Sequence, residues 1–144
     1  GTLTDLCRAV APEMVARGSG AILNVASTAA FQPGPKMAVY FATKAYVRSF
    51  TEALHEELKP HGVKVSCLCP GPTRTEFGAV AGFGEVGSFD RFAMESGPVV
   101  KAGIEGLERN RAVVVPGLLN KIGAASTRFA PRPIVRKIAG ALKL

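Results

Sequence analysis

Two short apolar runs separated by a long helical pattern constrain the fold of this chain more than any other feature. Residues 21–25 (AILNV) and residues 63–69 (VKVSCLC) are almost continuously apolar and are bounded by glycine, serine and proline. The first run is typical of a strand buried on both faces of a parallel sheet, and the second run is a further strand candidate. Between them, residues 38–59 carry apolar side chains at intervals of three and four, which predicts a connecting helix.

The flanking segments continue the same alternation. Residues 4–17 have a helical period, Pro98 is suited to be the first helical residue of a segment that runs to about Arg109, and residues 113–115 form a third strand candidate. Helix, strand, helix, strand, helix, strand is the order of an α/β fold with a parallel sheet. Residues 76–96 interrupt this order with several glycines, and we interpret them as a lid over a binding site.

Composition narrows the functional class. With 144 residues, 47% of them hydrophobic and 20% charged, the chain is predicted to be one globular domain or part of one. No apolar run approaches the roughly 20 residues of a membrane span, and no signal peptide is visible, so a cytoplasmic location is expected. Three cysteines are an odd number, which favours reduced, buried thiols over disulfides. The two histidines lack a zinc-site spacing, so no metal is expected.

Charge is concentrated at the C-terminal end. Residues 101–144 hold nine basic and two acidic side chains, whereas residues 1–100 hold nine of each, so the whole net charge of +7 belongs to the last third. The basic tail, residues 118–144, could contact an anionic membrane surface or an acidic partner; a solvated helical face is the simpler alternative. Nucleic acid is not favoured, because the tail lacks interleaved aromatic residues and any recognisable nucleic-acid motif.

A phenol and an ammonium group stand one helical turn apart in the predicted central helix. Tyr40 and Lys44 are separated by four residues and therefore lie on one face. A nearby ammonium favours the phenolate form, which makes a tyrosine usable as a proton donor and acceptor near neutral pH. Ser27 follows the first strand, at the edge where open α/β sheets bind ligands, and its hydroxyl could donate to a carbonyl oxygen. Any of these residues alone could be an ordinary surface or loop residue.

Four sequence pieces together resemble the short-chain dehydrogenase/reductase family. They are ILNVAS ending at Ser27, the interval of thirteen positions from Ser27 to Tyr40, the YFATK motif from Tyr40 to Lys44, and CPGPTRT from Cys69 to Thr75. The resemblance covers about residues 1–117 and is loose in the lid and the tail. It implies a Rossmann-like, doubly wound parallel sheet, of which this chain holds the C-terminal half.

The resemblance also implies an activity and a set of roles. In such an enzyme Ser27 orients the substrate carbonyl or hydroxyl, Tyr40 transfers the proton, and Lys44 holds the nicotinamide ribose. Pro70, Gly71, Thr73 and Thr75 would lie against the nicotinamide end of NADP or NAD, with NADP favoured. The implied activity is an NAD(P)-dependent oxidoreductase that interconverts a small-molecule carbonyl and an alcohol. The complete protein is expected to be a homo-oligomer. Its substrate would be selected by the lid and by residues such as Phe31 and Gln32. Phenylalanines in the lid indicate an apolar substrate or, equally, packing within the protein.

Two expected features of the family are missing. Its glycine-rich pyrophosphate turn and its catalytic asparagine would precede Gly1, and Gly82 to Gly87, although it spells G-x-G-x-x-G, has neither the preceding strand nor the following helix of a dinucleotide fingerprint. We therefore expect a fragment that is inactive alone and exposes a parallel sheet edge. The alternative is a non-catalytic remnant or interaction module that acts through its basic tail.

Overall fold

The computed structural model describes residues 1–74 and 93–141, which alternate between helices and strands. The helices are α1 (Thr2–Arg17), α2 (Ala38–Leu58), α3 (Ser96–Glu108), α4 (Leu118–Ser126) and α5 (Arg132–Ala141). The strands are β1 (Gly20–Val25), β2 (Val63–Leu68), β3 (Thr73–Arg74), β4 (Met94–Glu95) and β5 (Val113–Val114). Single 3-10 turns at Thr28–Phe31 and Lys59–His61 follow β1 and α2.

The main sheet has three parallel strands in the order β1-β2-β5. Gly20 pairs with Val63 at one end of the β1–β2 register and Val25 pairs with Leu68 at the other. β2 continues this pairing to β5 through Cys67 and Val113. The predicted α/β fold with a parallel sheet is therefore confirmed.

Helices cover both faces of the sheet. On one face α1 and α2 pack over Ile22, Val63 and Val65. On the other face α3 contributes Val99 to a cluster with Leu68 and Val114. Neighbouring residues along a strand thus serve opposite layers, as expected of a doubly wound sheet.

β1 differs from its prediction as a strand buried on both faces. Ile22 and Asn24 are buried, but Ala21 and Val25 are exposed. In the described part of the chain, β2 is the only strand beside β1, so its other edge is open. The apolar run correctly predicted a strand. The exposure of Ala21 and Val25 depends on tertiary structure, which the run itself does not specify.

The start of α3 and the end of the predicted lid also differ from expectation. α3 begins at Ser96, so Pro98 is its third residue and not its first. Residues 93–96, assigned to the lid from the sequence, contain β4 and the first residue of α3. The rest of the predicted lid, residues 76–92, lies outside the described residues.

A buried hydrogen-bond network fixes α2 on the sheet. Asn24 of β1 donates from Nδ2 to Thr51 Oγ1 of α2 at 3.0 Å, and Thr51 donates to the carbonyl oxygen of Val47 at 2.6 Å. Further along α2, His55 Nδ1 lies 2.6 Å from the carbonyl oxygen of Val65 in β2. Because buried polar groups are costly unless paired, these contacts specify one alignment of the helix on the strands.

Candidate active site

Ser27 lies in extended backbone two residues after β1, at the carboxyl edge of the sheet. Its position is fixed by neighbouring backbone bonds, in which the Ala26 and Thr28 amides donate to the carbonyl oxygens of Leu68 and Pro70, both at 2.8 Å. Ser27 Oγ accepts a hydrogen bond from the Ala29 amide at 3.1 Å and so caps the 3-10 turn. Since the oxygen acts as the acceptor there, its O–H group is still able to donate to a ligand.

Tyr40 and Lys44 lie in the first two turns of α2. The Lys44 ammonium is 5.8 Å from the centre of the Tyr40 ring and donates to the carbonyl oxygen of Val25, the last residue of β1, at 3.3 Å. Burial lowers the pKa of Lys44, an effect that the negative charge of a Cys67 or Cys69 thiolate would oppose. Half-burial of an ammonium group has an energetic cost. Charged groups with a shifted pKa are common at functional sites.

The elements that carry these three residues pack together at one edge of the fold. α2 packs against both β1 and the 3-10 turn that follows Ser27. The Lys44 ammonium contacts the backbone of Val25, which is two residues before Ser27 in the sequence. The structure therefore brings the serine-bearing turn and the tyrosine- and lysine-bearing helix together at the carboxyl end of β1, where open α/β sheets bind ligands.

The predicted nicotinamide turn follows β2 at the same edge. Pro70 is tied to the turn after Ser27 by the bond from Thr28, and Thr73 Oγ1 donates to the Gly71 carbonyl oxygen at 3.0 Å. Thr73 also begins β3, which pairs with β4. Thr75, the last residue predicted for this group, lies outside the described residues.

Asn120 is a site-region residue that the sequence analysis missed. Its Nδ2 donates to the Pro116 carbonyl oxygen at 2.9 Å, and a Cβ built at Gly71 would overlap its side chain. Gly71 therefore allows the turn to approach the Asn120 side chain of α4 closely. The only sequence signal is a polar residue in an otherwise apolar helix start, which does not identify a contact with a turn almost fifty residues earlier.

A cavity of about 250 Å³ opens between the 3-10 turn after Ser27 and α4. Phe31 and Gln32, which the sequence analysis expected to face a substrate, are among its lining residues, together with Thr28 and Leu119. The Arg48 guanidinium stacks 4.1 Å from the centre of the Phe31 ring and supports it from behind. The cavity wall thus combines apolar surface with hydroxyl and amide groups.

The two cysteines of the second apolar run are fully buried beneath α2. Cys67 and Cys69 have their sulfur atoms 3.7 Å apart, and both side chains pack with Ala26 and Ala30. The hydrogen bond to Cys69 lowers the pKa of Cys67 and outweighs the opposing effect of burial. The pKa of Cys69 is raised by the same hydrogen bond and by burial. The expectation of buried free thiols is met by all three cysteines.

The donor set fits the nicotinamide ribose end of a dinucleotide. An ammonium, a phenol and the threonine-containing turn lie around one strand end, and such groups can bond ribose hydroxyls and a carboxamide. The described residues contain no glycine-rich turn between a strand and a helix that could bind a pyrophosphate. Gly82 to Gly87 lie outside the described residues.

Comparison with known proteins gives consistent matches. The family model for short chain dehydrogenase matches residues 2–82. A very-long-chain 3-oxoacyl-CoA reductase from Mus musculus is 31% identical over 145 residues, covering 99% of this chain and 45% of the mouse protein. A short-chain dehydrogenase from Sphingobium yanoikuyae, solved with NADPH, is 34% identical with a TM-score of 0.72, covering 88% of this chain and 51% of that one.

A second solved structure extends the comparison. A short chain dehydrogenase from Burkholderia cenocepacia in complex with NADP is 27% identical with a TM-score of 0.71, covering 92% of this chain and 53% of that chain. The chain thus spans about half the length of these three proteins.

Proposed function

The chain belongs to the short-chain dehydrogenase family, and on that premise we propose that the complete protein is an NAD(P)-dependent oxidoreductase that interconverts a carbonyl and an alcohol. The observation that carries the proposal is the position of Lys44. Its ammonium lies beside the Tyr40 ring and at the end of the strand that leads to Ser27. The support is that a phenol and an ammonium group lie on a helix that packs against the serine-bearing turn at one sheet edge.

Each of the three side chains has a defined part in carbonyl reduction. The Ser27 hydroxyl donates to the substrate carbonyl oxygen and fixes its direction. The Tyr40 phenol gives its proton to that oxygen as the carbon is reduced, and the proton is later restored from solvent. The Lys44 ammonium stabilises the resulting phenolate and bonds the ribose. Bound reduced nicotinamide supplies the hydride that the carbonyl carbon accepts.

NADP is favoured over NAD as the cofactor. The support is indirect: two solved relatives above one quarter identity contain NADPH or NADP. Pro70, Gly71 and Thr73 are the described residues proposed to lie against the nicotinamide, with Thr75 following them in the sequence. The selection between the two cofactors depends on the adenosine end, for which the described residues provide no site.

An apolar ketone or alcohol is the proposed substrate class. The support is the cavity lined by the turn that follows Ser27, where Phe31 and Leu119 offer apolar surface. The polar groups of the substrate would meet the other lining side chains, which include Thr28, Gln32, Asn120, Ser126 and Thr127. The complete protein is proposed to act in the cytoplasm as a homo-oligomer. The 144-residue chain by itself is proposed to have no turnover, since it has no described pyrophosphate site.

The alternative is a non-catalytic interaction module in which Ser27, Tyr40 and Lys44 are inherited but unused. The bond from Lys44 to the Val25 carbonyl oxygen, beside the Tyr40 ring, supports the catalytic proposal, because it holds the cation at the edge where open α/β sheets bind ligands.

The first experiment tests cofactor binding in the chain itself. Titration with reduced nicotinamide mononucleotide, followed by NMR, isolates the half of the cofactor for which groups are present. We expect shifts at Gly71, Thr73 and the start of α2, and weaker binding in Lys44→Met. Lys64→Met is the matched control, because Lys64 also donates to a carbonyl oxygen, that of Glu108, but lies at the other end of the sheet. Equal loss in both variants would contradict the assignment.

The second experiment tests catalysis in the protein made from the complete reading frame. We expect reduced nicotinamide to be oxidised with apolar ketones, and Tyr40→Phe to lower kcat by about 10²–10⁴-fold. A Tyr40→Phe protein with the unaltered rate would support the non-catalytic alternative.

A further inference from the structure

The last two helices expose an unusual amount of apolar side chain. We call residues 118–141 the C-terminal surface. Its exposed large apolar residues are Leu118, Leu119, Ile122, Phe129, Ile134 and Ile138, and Phe129 is 87% exposed. Single exposed apolar residues are common in soluble proteins, but a series along two consecutive helices indicates an interaction surface.

The same segment carries only positive charge. Residues 118–144 hold six basic side chains and no acidic ones, whereas residues 1–117 hold twelve basic and eleven acidic. Five of the six basic residues lie in the described range, and all five are exposed: Lys121, Arg128, Arg132, Arg136 and Lys137. None of them takes part in an ion pair among the described residues. Among the described residues, these five cations are therefore available to an external anion.

On α5 the buried residues and the exposed apolar residues lie on different faces of the helix. Ala139 is buried and Val135, four residues earlier, is half-buried, so this face packs on the protein. Ile134 and Ile138, also four residues apart, form a neighbouring stripe that is exposed, and Lys137 lies on its far side. An apolar stripe flanked by a cation is the arrangement of helices that lie in a membrane interface.

α5 also lies close to the candidate active site. A Cβ built at Gly140 would be 3.5 Å from Pro35 Cγ, in the loop that leads to α2 and Tyr40. The helix is therefore anchored to the fold while its Ile134–Ile138 stripe faces outward. Ten residues are too few to cross a bilayer, and no helix in the described ranges is long and apolar enough to do so.

We propose that the C-terminal surface docks on the surface of a membrane that contains anionic lipids. The cations bind lipid phosphates and carboxylates while the isoleucines and Phe129 enter the headgroup region. A second copy of the chain is a poorer occupant, because it has the same all-positive surface and its remaining residues are almost neutral. Docking does not depend on the oxidoreductase proposal, and its test uses no activity measurement.

Co-sedimentation of the full chain with vesicles tests the charge requirement. We expect binding to phosphatidylcholine vesicles that contain phosphatidylserine to exceed binding to phosphatidylcholine alone by about tenfold or more, and to fall as salt is raised. Lys137→Gln removes the cation beside the Ile134–Ile138 stripe and should reduce this difference several-fold. Equal binding to both vesicle types, or no binding to either, would overturn the proposal.

A single tryptophan tests which side chains enter the interface. Because the chain has no tryptophan, Ile138→Trp introduces a unique fluorophore whose emission shifts to shorter wavelength when it leaves water. Ile104→Trp on α3 is the control, since Ile104 is 48% exposed and Ile138 is 58% exposed. A vesicle-dependent shift at Ile138 alone supports docking through α5. Equal shifts at both positions would contradict docking through α5. A shift at Ile138 that depends on protein concentration in the absence of vesicles would also contradict it, because it would indicate self-association.

Discussion

At the scale of single residues, the candidate site depends on side chains that are costly to bury. Lys44 places a half-buried ammonium at a strand end, and Asn24 and Thr51 join β1 to α2 through a buried hydrogen bond. Neither arrangement is the best choice for stability alone, because apolar packing at these positions would avoid the loss of hydration. Both, however, fix the helix that carries Tyr40 relative to the turn that carries Ser27.

Replacement of the buried threonine should destabilise the fold. In Thr51→Val the Asn24 amide loses its 3.0 Å acceptor, and we expect the free energy of unfolding to fall by about 1–3 kcal/mol. Thr43→Val is the matched control, because Thr43 also donates to a carbonyl of its own helix, that of Tyr40, but is exposed. Its effect should stay within about 0.5 kcal/mol. Urea denaturation of both variants decides the point, and similar losses would show that the Asn24 bond contributes nothing.

Lys44 should make stability depend on pH. Burial lowers its pKa in the folded chain, whereas the unfolded chain titrates near the ordinary value of 10.5. Between these two pKa values the unfolded state binds more protons, so the contribution of Lys44 to the free energy of unfolding rises with pH; below the lowered pKa the burial cost is fully present and constant. Relative to Lys44→Met, the unaltered chain should therefore gain stability as pH rises toward 10.5. A difference between the two chains that is constant with pH, measured by urea denaturation, would exclude this effect.

At the scale of elements, helix ends determine how α1 and α2 enter the strands. α1 ends at Gly18 and the turn after α2 ends at Gly62, and both glycines have positive φ, 69° and 74°. Left-handed backbone of this kind favours glycine because it has no Cβ. The two turns also contact each other, since a Cβ at Gly62 would overlap the Gly18 carbonyl oxygen.

These two glycines should differ in their sensitivity to alanine. At Gly18 a Cβ meets nothing within 4 Å, so Gly18→Ala should cost only the backbone strain of about 1–2 kcal/mol. Gly62→Ala adds the overlap with the Gly18 carbonyl group and should cost clearly more. Thermal unfolding of the two variants provides the comparison, and a Gly62→Ala protein at least as stable as Gly18→Ala would show that the contact is not tight.

At the scale of the whole molecule, the described chain is a parallel sheet with one open edge. β1 has no strand on its outer side among the described residues, and Val25 on this strand is 50% exposed. Beside the edge, α1 and β1 enclose a largely apolar groove of about 510 Å³. Unpaired strand edges with apolar side chains tend to associate with other chains.

We expect the 144-residue chain to self-associate through this edge when it is produced alone. Val25→Lys should reduce association, since a charged side chain on an edge strand opposes pairing. Val100→Lys is the control, because Val100 on α3 is equally exposed, at 53%, but lies away from β1. Analytical ultracentrifugation over a range of concentrations measures the effect. If both lysine variants behave alike, association does not use the β1 edge.

The sequence by itself determined the family of this protein and the elements of its main sheet, but not β3, β4, α4 or α5. The apolar runs and the helical period predicted β1, β2 and α2 to within one residue or so, because hydrophobic periodicity and Gly/Pro boundaries are local signals. The candidate site was also predicted from a local signal, namely the identities and spacing of Ser27, Tyr40 and Lys44 in the sequence.

Tertiary structure alone decided the contacts between distant residues. The Asn120 side chain against Gly71, the Lys44 bond to Val25 and the exposure of β1 all join or separate residues that no local pattern relates. Pro98 shows the limit within an element as well: α3 starts two residues before it because β4 leads directly into the helix at Ser96. Local propensity fixes which segments form helices and strands, whereas packing between layers fixes where they end, what they bury and which side chains meet.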